Sequence, residues 1–222
     1  MSHSYTTLIN QGKDTIVSTT ICAPSPSDPA PWHRYPCQVD GSLIITGDLD
    51  PRPEIARTQL DVWVALGVTH IVDVRGEWTD ENFVGIHAPE IDYIYVGTDD
   101  NGGPRSDAWF DSVLAALDNI IFDPTAVVLV HCHMGVNRGP SMAFRIMLEQ
   151  GWDAIDALEA LRAARPIANV LYADSAIDHF HRSHETATPE RVKDIRRVRA
   201  WRDANALDVS WIISRIRRAS DE

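Results

Sequence analysis

The sequence has few cysteines, few lysines and no long hydrophobic run. Its three cysteines are too few and odd in number for a disulfide framework among 222 residues. No apolar stretch approaches the roughly 20 residues of a membrane-spanning helix, so no membrane span is expected. The first residues also lack a basic segment followed by an apolar one, as a secretory signal would have. We therefore expect a protein of the reducing cytoplasm.

The chain is also short of positive charge. Its 20 lysines and arginines face 32 aspartates and glutamates, which gives a formal net charge of −12. Residues 187–222 differ from the rest, because they hold 9 basic against 6 acidic residues, a net of +3. General nucleic-acid binding needs positive potential along a phosphate backbone. Nucleic acid is therefore not expected as a partner, and composition leaves the oligomeric state open.

Strand-like and helix-like segments alternate from residue 42 onward. Strands are predicted at 43–45, 68–74, 91–95 and 127–130, and helices at 53–66, 107–121, 139–150, 154–164 and 171–181. Strands that alternate with helices are typical of an α/β fold. We expect a mostly parallel central sheet with helices on both of its faces.

The last of these strands leads into a motif that carries chemistry. His131 and Cys132 follow the apolar run 127–130, and Arg138 comes after five further residues, where a helix begins. Loop N–H groups and a helix N-terminus then point at one spot, which binds anions. There we expect a lowered pKa for the Cys132 thiol, and Arg138 can hold two oxygens of an oxyanion. The pattern predicts attack by Cys132 on phosphorus, through a phosphocysteine intermediate.

The segment His131-Cys132-x-x-Gly135-x-x-Arg138 resembles the signature of the cysteine-based protein tyrosine phosphatases, most closely the dual-specificity type. The resemblance spans roughly 42–182. It implies a phosphate-binding cysteine loop between a strand and a helix, with no metal or organic cofactor. It implies phosphate binding by His133, Met134, Gly135, Val136, Asn137 and Arg138. On this basis the chain divides into a Pro-rich extension at 1–41, a catalytic domain at 42–186 and an amphipathic helical extension at 187–222.

The resemblance also implies a general acid on a second loop, an aspartate upstream of the cysteine and after a strand. Asp100 lies 32 positions before Cys132 and Asp99 lies 33 before it, in a segment rich in glycine and proline. We prefer Asp100 as the acid and keep Asp99 as a supporting residue. The alternative is that both are ordinary turn residues, since aspartate is common in turns.

One position departs from the family pattern. The residue after the arginine is usually a serine or threonine whose hydroxyl stabilises the departing thiolate, but here it is Gly139. The nearest hydroxyl is that of Ser141. We expect either this hydroxyl or His131 to stabilise the departing thiolate instead. We expect slower hydrolysis of the phosphoenzyme and reduced activity. His131 is also expected to orient the loop through hydrogen bonds.

The substrate is indicated only weakly. Between Cys132 and Arg138 the loop has no lysine or arginine, whereas loops that bind inositol phosphates or RNA ends tend to add them. A phosphorylated protein, with phosphotyrosine foremost, is therefore favoured over a phosphoinositide or an RNA 5′-phosphate, and a small phosphate monoester is an alternative. A phosphate-binding module with weak or no turnover is another. A rhodanese-like sulfur carrier would leave Asp99 and Asp100 without a role.

Two further patterns lie outside the motif. Asp178, His179, His181 and His184 have the composition of a metal site, but nothing positions a fourth ligand, so a solvated helix end is favoured. The apolar spacing within 187–222 predicts amphipathic helices. We favour their docking on the acidic body over a dimer surface, a partner surface or a weak contact with anionic membranes.

Overall fold

The computed structural model describes residues 32–221 and has a five-stranded sheet at its centre. Its strands are β1 (Cys37–Gln38), β2 (Leu43–Thr46), β3 (His70–Arg75), β4 (Asp92–Thr98) and β5 (Val128–His131). Their order across the sheet is β1-β2-β5-β3-β4. Only β1 is antiparallel to its neighbour, and the other three pairings are parallel. The predicted mostly parallel α/β fold is thereby confirmed.

Eight α-helices surround the sheet in the described part of the chain. They are α1 (Pro53–Ala65), α2 (Glu81–His87), α3 (Asp107–Leu117), α4 (Arg138–Glu149), α5 (Ala154–Ala164), α6 (Ala173–Ser183), α7 (Thr188–Ala204) and α8 (Val209–Asp221). Two short 3-10 turns lie at Trp32–Arg34 and Asp118–Phe122. Within residues 32–221, no helix is both long enough and apolar enough to cross a membrane.

The alternation of side chains along each strand divides the core into two layers. On one face of the sheet, Leu43 and Val130 pack with α3, α4, α5 and α6. On the other, Ile44 and Leu129 pack with α1 and α2. Because strand residues point alternately to opposite faces, strands that are apolar at every position are buried on both sides. β5 therefore lies in the middle of the protein and delivers its carboxyl end to the centre of one sheet edge.

The boundaries of several elements differ from the sequence prediction. Helix α2 was not expected, since its seven residues are too short for a clear helical period. Helix α3 ends at Leu117, because Asp118 has a φ of +20° and starts a 3-10 turn. Strand β4 continues to Thr98, three residues beyond its predicted end. The prediction for 1–31 falls outside the described residues, while β1 lies within the predicted extension.

A buried ionic network ties β2, β3 and α2 together below the carboxyl ends of the strands. The fully buried Arg75 guanidinium lies 3.3 Å from Asp48, 3.0 Å from Asp73 and 2.5 Å from Asp80. Asp48 also pairs with Arg34 at 3.0 Å, which ties in the segment before β1. Buried charges are tolerated only when paired in this way, so each member depends on the others.

We predict that Arg75→Leu lowers the free energy of unfolding by about 3–5 kcal/mol, because it leaves three carboxylates without their shared cation. Urea denaturation measures the change. The matched control is Arg57→Leu, which removes exposed contacts to Asp61 and His87 and should cost no more than about 1 kcal/mol. Similar losses in the two variants would contradict the structural role assigned to the network.

Candidate active site

Cys132 lies at the carboxyl end of β5, between the ends of β2 and β3, with only 2% of its surface exposed. Residues 133–137 turn directly into helix α4, which begins at Arg138. The predicted order of strand, cysteine loop and helix is therefore present. In an α/β sheet, this is also the edge at which ligands bind.

The carbonyl groups of the cysteine loop are all held from outside. The oxygen of His133 accepts from the N–H of Asp48, those of Met134 and Gly135 accept from the Arg165 guanidinium, that of Val136 accepts from the N–H of Asn169, and that of Asn137 accepts from Ser141. Within a trans peptide group the N–H points opposite to the C=O, so a carbonyl held from outside directs the N–H of the following residue inward. The N–H groups of two residues act on the Cys132 thiol: that of Gly135, whose peptide carbonyl on Met134 is anchored by Arg165, and that of Gly139, in the first turn of α4. Such a concave set of N–H groups binds anions.

Gly135 is the one loop position at which a side chain cannot fit. Its φ is +63°, and a Cβ there would lie 2.5 Å from Arg165 and 2.6 Å from the carbonyl oxygen of Thr46. Arg165 is itself 2% exposed and also donates to the carbonyl of His33 at 2.6 Å. Glycine thus lets the loop lie directly on the guanidinium that orients it.

The pKa of Cys132 differs from the sequence prediction of a lowered value. Burial raises the pKa of the thiol, and the nearby carboxylate of Asp100 acts in the same direction. The charge of Arg138 and the N–H groups of Gly139 and Gly135 lower the pKa, but less than burial raises it. The prediction counted the donors and the helix dipole and omitted the desolvation of a nearly inaccessible sulfur.

Arg138 has its guanidinium divided between two functions. Its Nη1 and Nη2 atoms donate to the two carboxylate oxygens of Glu77 at 2.8 and 2.7 Å, and Nη1 also donates to the carbonyl of Thr98. Its buried Nε has no hydrogen-bond partner among residues 32–221. The edge formed by Nε and Nη2 is the second fork of a guanidinium. Glu77 therefore fixes the plane of Arg138 and leaves that fork for two oxygens of a tetrahedral anion.

The charge state of Glu77 fits this role. Burial acts to raise its pKa, but the hydrogen bonds and the charge of Arg138 outweigh that effect and lower it. Glu77 is thus an ionised partner of Arg138 at neutral pH.

Asp100 is the aspartate that faces the loop. Its carboxylate accepts from the Asn137 amide at 3.0 Å and from the Tyr172 hydroxyl at 2.5 Å, and it lies 3.8 Å from Arg138 Nε. Burial and the bond to Asp100 raise the pKa of Tyr172 to about 12, so the hydroxyl stays a donor. Asp99 is exposed, and its backbone carbonyl accepts from Arg105 at 2.6 Å.

Arg105 and Tyr172 hold the loop that carries the aspartates. The Arg105 guanidinium donates to the carbonyls of Asp99 and Gly103 and to the side chain of Asn101, and it stacks 4.4 Å from the centre of the Tyr172 ring. The Tyr172 hydroxyl also accepts from the N–H of Gly102 at 3.3 Å. The position of Asp100 is thus set by contacts at both ends of its loop.

His131 and Ser141 act differently from the prediction. His131 is fully buried against Trp63, and neither ring nitrogen has a hydrogen-bond partner in the described part of the chain. The expectation that it orients the loop by hydrogen bonds is therefore wrong, because the ring fills the core instead. Ser141 donates to the Asn137 carbonyl at 2.7 Å and accepts from the N–H of Tyr172 at 3.0 Å. Its hydroxyl supports the loop end and Tyr172, and is not available to the thiol.

The remaining loop residues connect the loop to its surroundings. His133 Nδ1 lies 2.8 Å from Asp48, which ties the loop to the buried ionic network, and its ring contacts Trp78 edge-on. Asn137 bridges Asp100 and Asn169 through its side-chain amide. Met134 and Val136 supply an apolar lining next to the thiol.

The histidines of α6 have other partners. His179 lies between Arg145 and Asp111, at 2.8 Å from each, and His181 contacts Thr186 and Asp194. No group of three or more metal-binding side chains occurs within residues 32–221.

Three residues of the site were not identified from the sequence as contributors: Glu77, Arg165 and Tyr172. Glu77 follows the end of β3, where a search for polar residues at the carboxyl ends of strands would have found it. Arg165 directly follows α5, and its place in the sequence carries no sign that its side chain reaches the cysteine loop. Tyr172 gives no local signal, because only the packing of α6 brings it to Asp100.

We predict that Gly135→Ala destabilises the protein by about 2 kcal/mol more than Gly151→Ala. Both glycines have positive φ, so each substitution carries a left-handed backbone cost of about 1–2 kcal/mol. Only Gly135 adds a collision with Arg165 and Thr46, since nothing lies within 4 Å of a Cβ at Gly151. Thermal or urea unfolding gives both values. Equal losses would mean that the loop does not need the close approach of Arg165.

Comparison with known proteins agrees with this geometry. Residues 54–173 match the family model described as dual specificity phosphatase, catalytic domain. A mouse relative, dual specificity protein phosphatase 13B, is 28% identical over 107 residues, which cover 47% of this chain and 54% of the relative. The match thus spans about half the length of that relative.

Solved structures share the fold. A mouse putative dual specificity phosphatase complexed with zinc tungstate has a TM-score of 0.57 at 20% identity, covering 72% of this chain and 94% of that one. Human DUSP28 has a TM-score of 0.54 at 18% identity, covering 73% of this chain and 99% of that one. With the family model matching more than half of its residues, the chain belongs to the dual specificity phosphatase catalytic-domain family.

Proposed function

We propose that this protein hydrolyses phosphate monoesters through a phosphocysteine intermediate. The observation that carries the proposal is the convergence on Cys132 of inward-turned loop N–H groups, the open fork of Arg138 and the carboxyl group of Asp100. Each corresponds to a need of the reaction: a nucleophile, a cradle for the phosphoryl oxygens and a proton donor. No metal or organic cofactor has a step in this chemistry.

In the first step the Cys132 sulfur attacks phosphorus as a thiolate. An S–P bond forms, the P–O bond to the leaving group breaks, and Asp100 transfers its proton to the leaving oxygen. The loop N–H groups and the Nε and Nη2 atoms of Arg138 hold the three other oxygens. Because burial raises the pKa of the thiol, we expect the thiol proton to pass to an oxygen of the bound phosphoryl dianion as the sulfur attacks.

In the second step water attacks the phosphorus of the phosphocysteine. Asp100, now ionised, accepts a proton from the water, and the S–P bond breaks to release inorganic phosphate and the thiolate. Gly139 offers no hydroxyl to that departing sulfur, and Ser141 is held by Asn137 and Tyr172. We therefore infer that this second step limits turnover.

We propose a phosphorylated protein as the substrate, with phosphotyrosine foremost. The absence of basic side chains between Cys132 and Arg138 supports this choice over phosphoinositides and RNA 5′-phosphates. The free thiols of Cys37 and Cys132 support a reducing cytoplasm as the location. The division of the chain at residues 41 and 186 stays a prediction.

We predict that Cys132→Ser abolishes hydrolysis of p-nitrophenyl phosphate and that Asp100→Asn lowers kcat by about 10²–10³. A general acid must be protonated, so wild-type kcat/KM should fall toward high pH, and this fall should be missing in Asp100→Asn. The control is Asp99→Asn, which should change kcat by no more than about twofold. The proposal fails if Cys132→Ser retains activity or if the wild type has none.

We predict that Gly139→Ser raises steady-state kcat by on the order of tenfold, the effect of one hydrogen bond of about 1.4 kcal/mol to the departing sulfur. A Cβ at this position would lie 3.5 Å from the sulfur and 3.3 Å from the backbone of His131 and Cys132, so the loop must yield slightly. Gly139→Ala adds the same Cβ without the hydroxyl and should not accelerate. Stopped-flow release of p-nitrophenol should show a burst in the wild type, and the absence of a burst would show that the second step is not limiting.

A further inference from the structure

Helix α8 docks against the cysteine loop itself. Ile212 and Ile216 are 4% and 1% exposed, and they pack with Val136, next to Met134 and Ile167. The two isoleucines are four residues apart and therefore share one face of the helix. A 13-residue helix is marginal in isolation, so packing against the body, with the loop at its centre, holds α8 in place.

The adjacent face of α8 lines the cavity that contains the thiol. Ile213, Arg217 and Ser220 follow one another at spacings of four and three residues, and all three border a cavity of about 490 Å³. Cys132 and Arg138 border the same cavity. Helix α8 is therefore a wall of the catalytic cavity.

The arginines that border this cavity differ in their partners. Arg34 pairs with Asp48 and Asp50, and Arg138 pairs with Glu77. Arg217 is exposed, and no ion pair or hydrogen bond joins it to residues 32–220. In a protein with a net charge of −12, an exposed cation at the edge of a catalytic cavity, without a partner among residues 32–220, is available to an anionic ligand.

We infer that α8 determines substrate choice, with Arg217 binding an acidic side chain that neighbours the phosphotyrosine of a substrate protein. The inference rests on the proposed function, since it assigns the phosphoryl group to Cys132 and Arg138. The acidic side chain of the substrate then lies at the cavity edge beside α8, while the phosphoryl group lies at the thiol.

The lining of the cavity favours an aromatic phosphopeptide over a polyphosphorylated ligand. Four apolar side chains border it: Met134, Val136, Ile213 and Ile216. They suit the ring of a phosphotyrosine better than the hydroxyl groups of an inositol. Glu77 and Asp100 also border the cavity, and their carboxylates oppose each further phosphate that a ligand carries beside the one held at Cys132 and Arg138.

Binding to the full-length Cys132→Ser protein tests the inference without requiring turnover. Fluorescence polarisation compares two labelled phosphotyrosine peptides of equal length, one with glutamate and one with glutamine on both sides of the phosphotyrosine. Adding Arg217→Gln should lower the ratio of acidic to neutral affinity about three- to fivefold, which is typical of a partly exposed charge pair. The effect should shrink at 0.5 M salt, where screening is stronger.

The control variant is Arg218→Gln on the same background. Arg218 is also exposed on α8 but bonds to Ser214 and does not border the cavity, so the ratio should stay unchanged. The inference is overturned if Arg217→Gln leaves the ratio unchanged, if Arg218→Gln lowers it equally, or if neither peptide binds. A competition experiment uses inositol hexakisphosphate and the unlabelled acidic peptide. The inference is also overturned if inositol hexakisphosphate displaces the labelled acidic peptide at a lower concentration than the unlabelled peptide does, and if this displacement requires Arg217. Hydrolysis of p-nitrophenyl phosphate by the wild type judges the proposed function separately.

Discussion

The site depends on one constraint, the anchoring of the cysteine-loop carbonyls from the outside. A peptide group that gives its carbonyl to the scaffold must present its N–H on the other side, and Arg165 provides this for two consecutive peptides. The anchor works only because Gly135 allows the loop to approach the guanidinium. The anion-binding property therefore comes from residues that never touch the anion, and it is built into the fold before any ligand arrives.

The second constraint is how an acidic protein arranges positive charge around an anionic substrate. The Glu77 carboxylate binds the Nη1 and Nη2 atoms of Arg138. This ion pair offsets part of the positive charge of Arg138, but it fixes the direction of the edge formed by Nε and Nη2. The same carboxylates that order the site also oppose ionisation of the thiol, as the effect of Asp100 on Cys132 shows. Orientation is thus gained at the expense of the standing positive potential, and without a ligand the thiol form of Cys132 is favoured.

The sequence could predict the fold and the position of the nucleophile because both depend on local patterns. Apolar runs define the strands, and the spacing from Cys132 to Arg138 places a loop between a strand and a helix. It could not predict the raised pKa of Cys132, since burial is a property of the whole core. Nor could it show that Ser141 is engaged with Asn137 and Tyr172, because a hydroxyl two residues from an expected position carries no sign of its partner.

The C-terminal helix α8 is a second case in which the sequence pattern does not reveal a tertiary contact. Its amphipathic spacing predicts a helix with one buried face. The spacing alone does not show whether that face is covered by a partner, by a membrane or by the rest of this chain. What decides is that Ile212 and Ile216 find Val136, a residue whose own position is set by the bond from the N–H of Asn169 to its carbonyl. The anchoring that turns the loop N–H groups inward thereby also sets where α8 lies. The phosphate cradle and the cavity wall that bears Arg217 are thus positioned by the same loop, so a change in one is transmitted to the other.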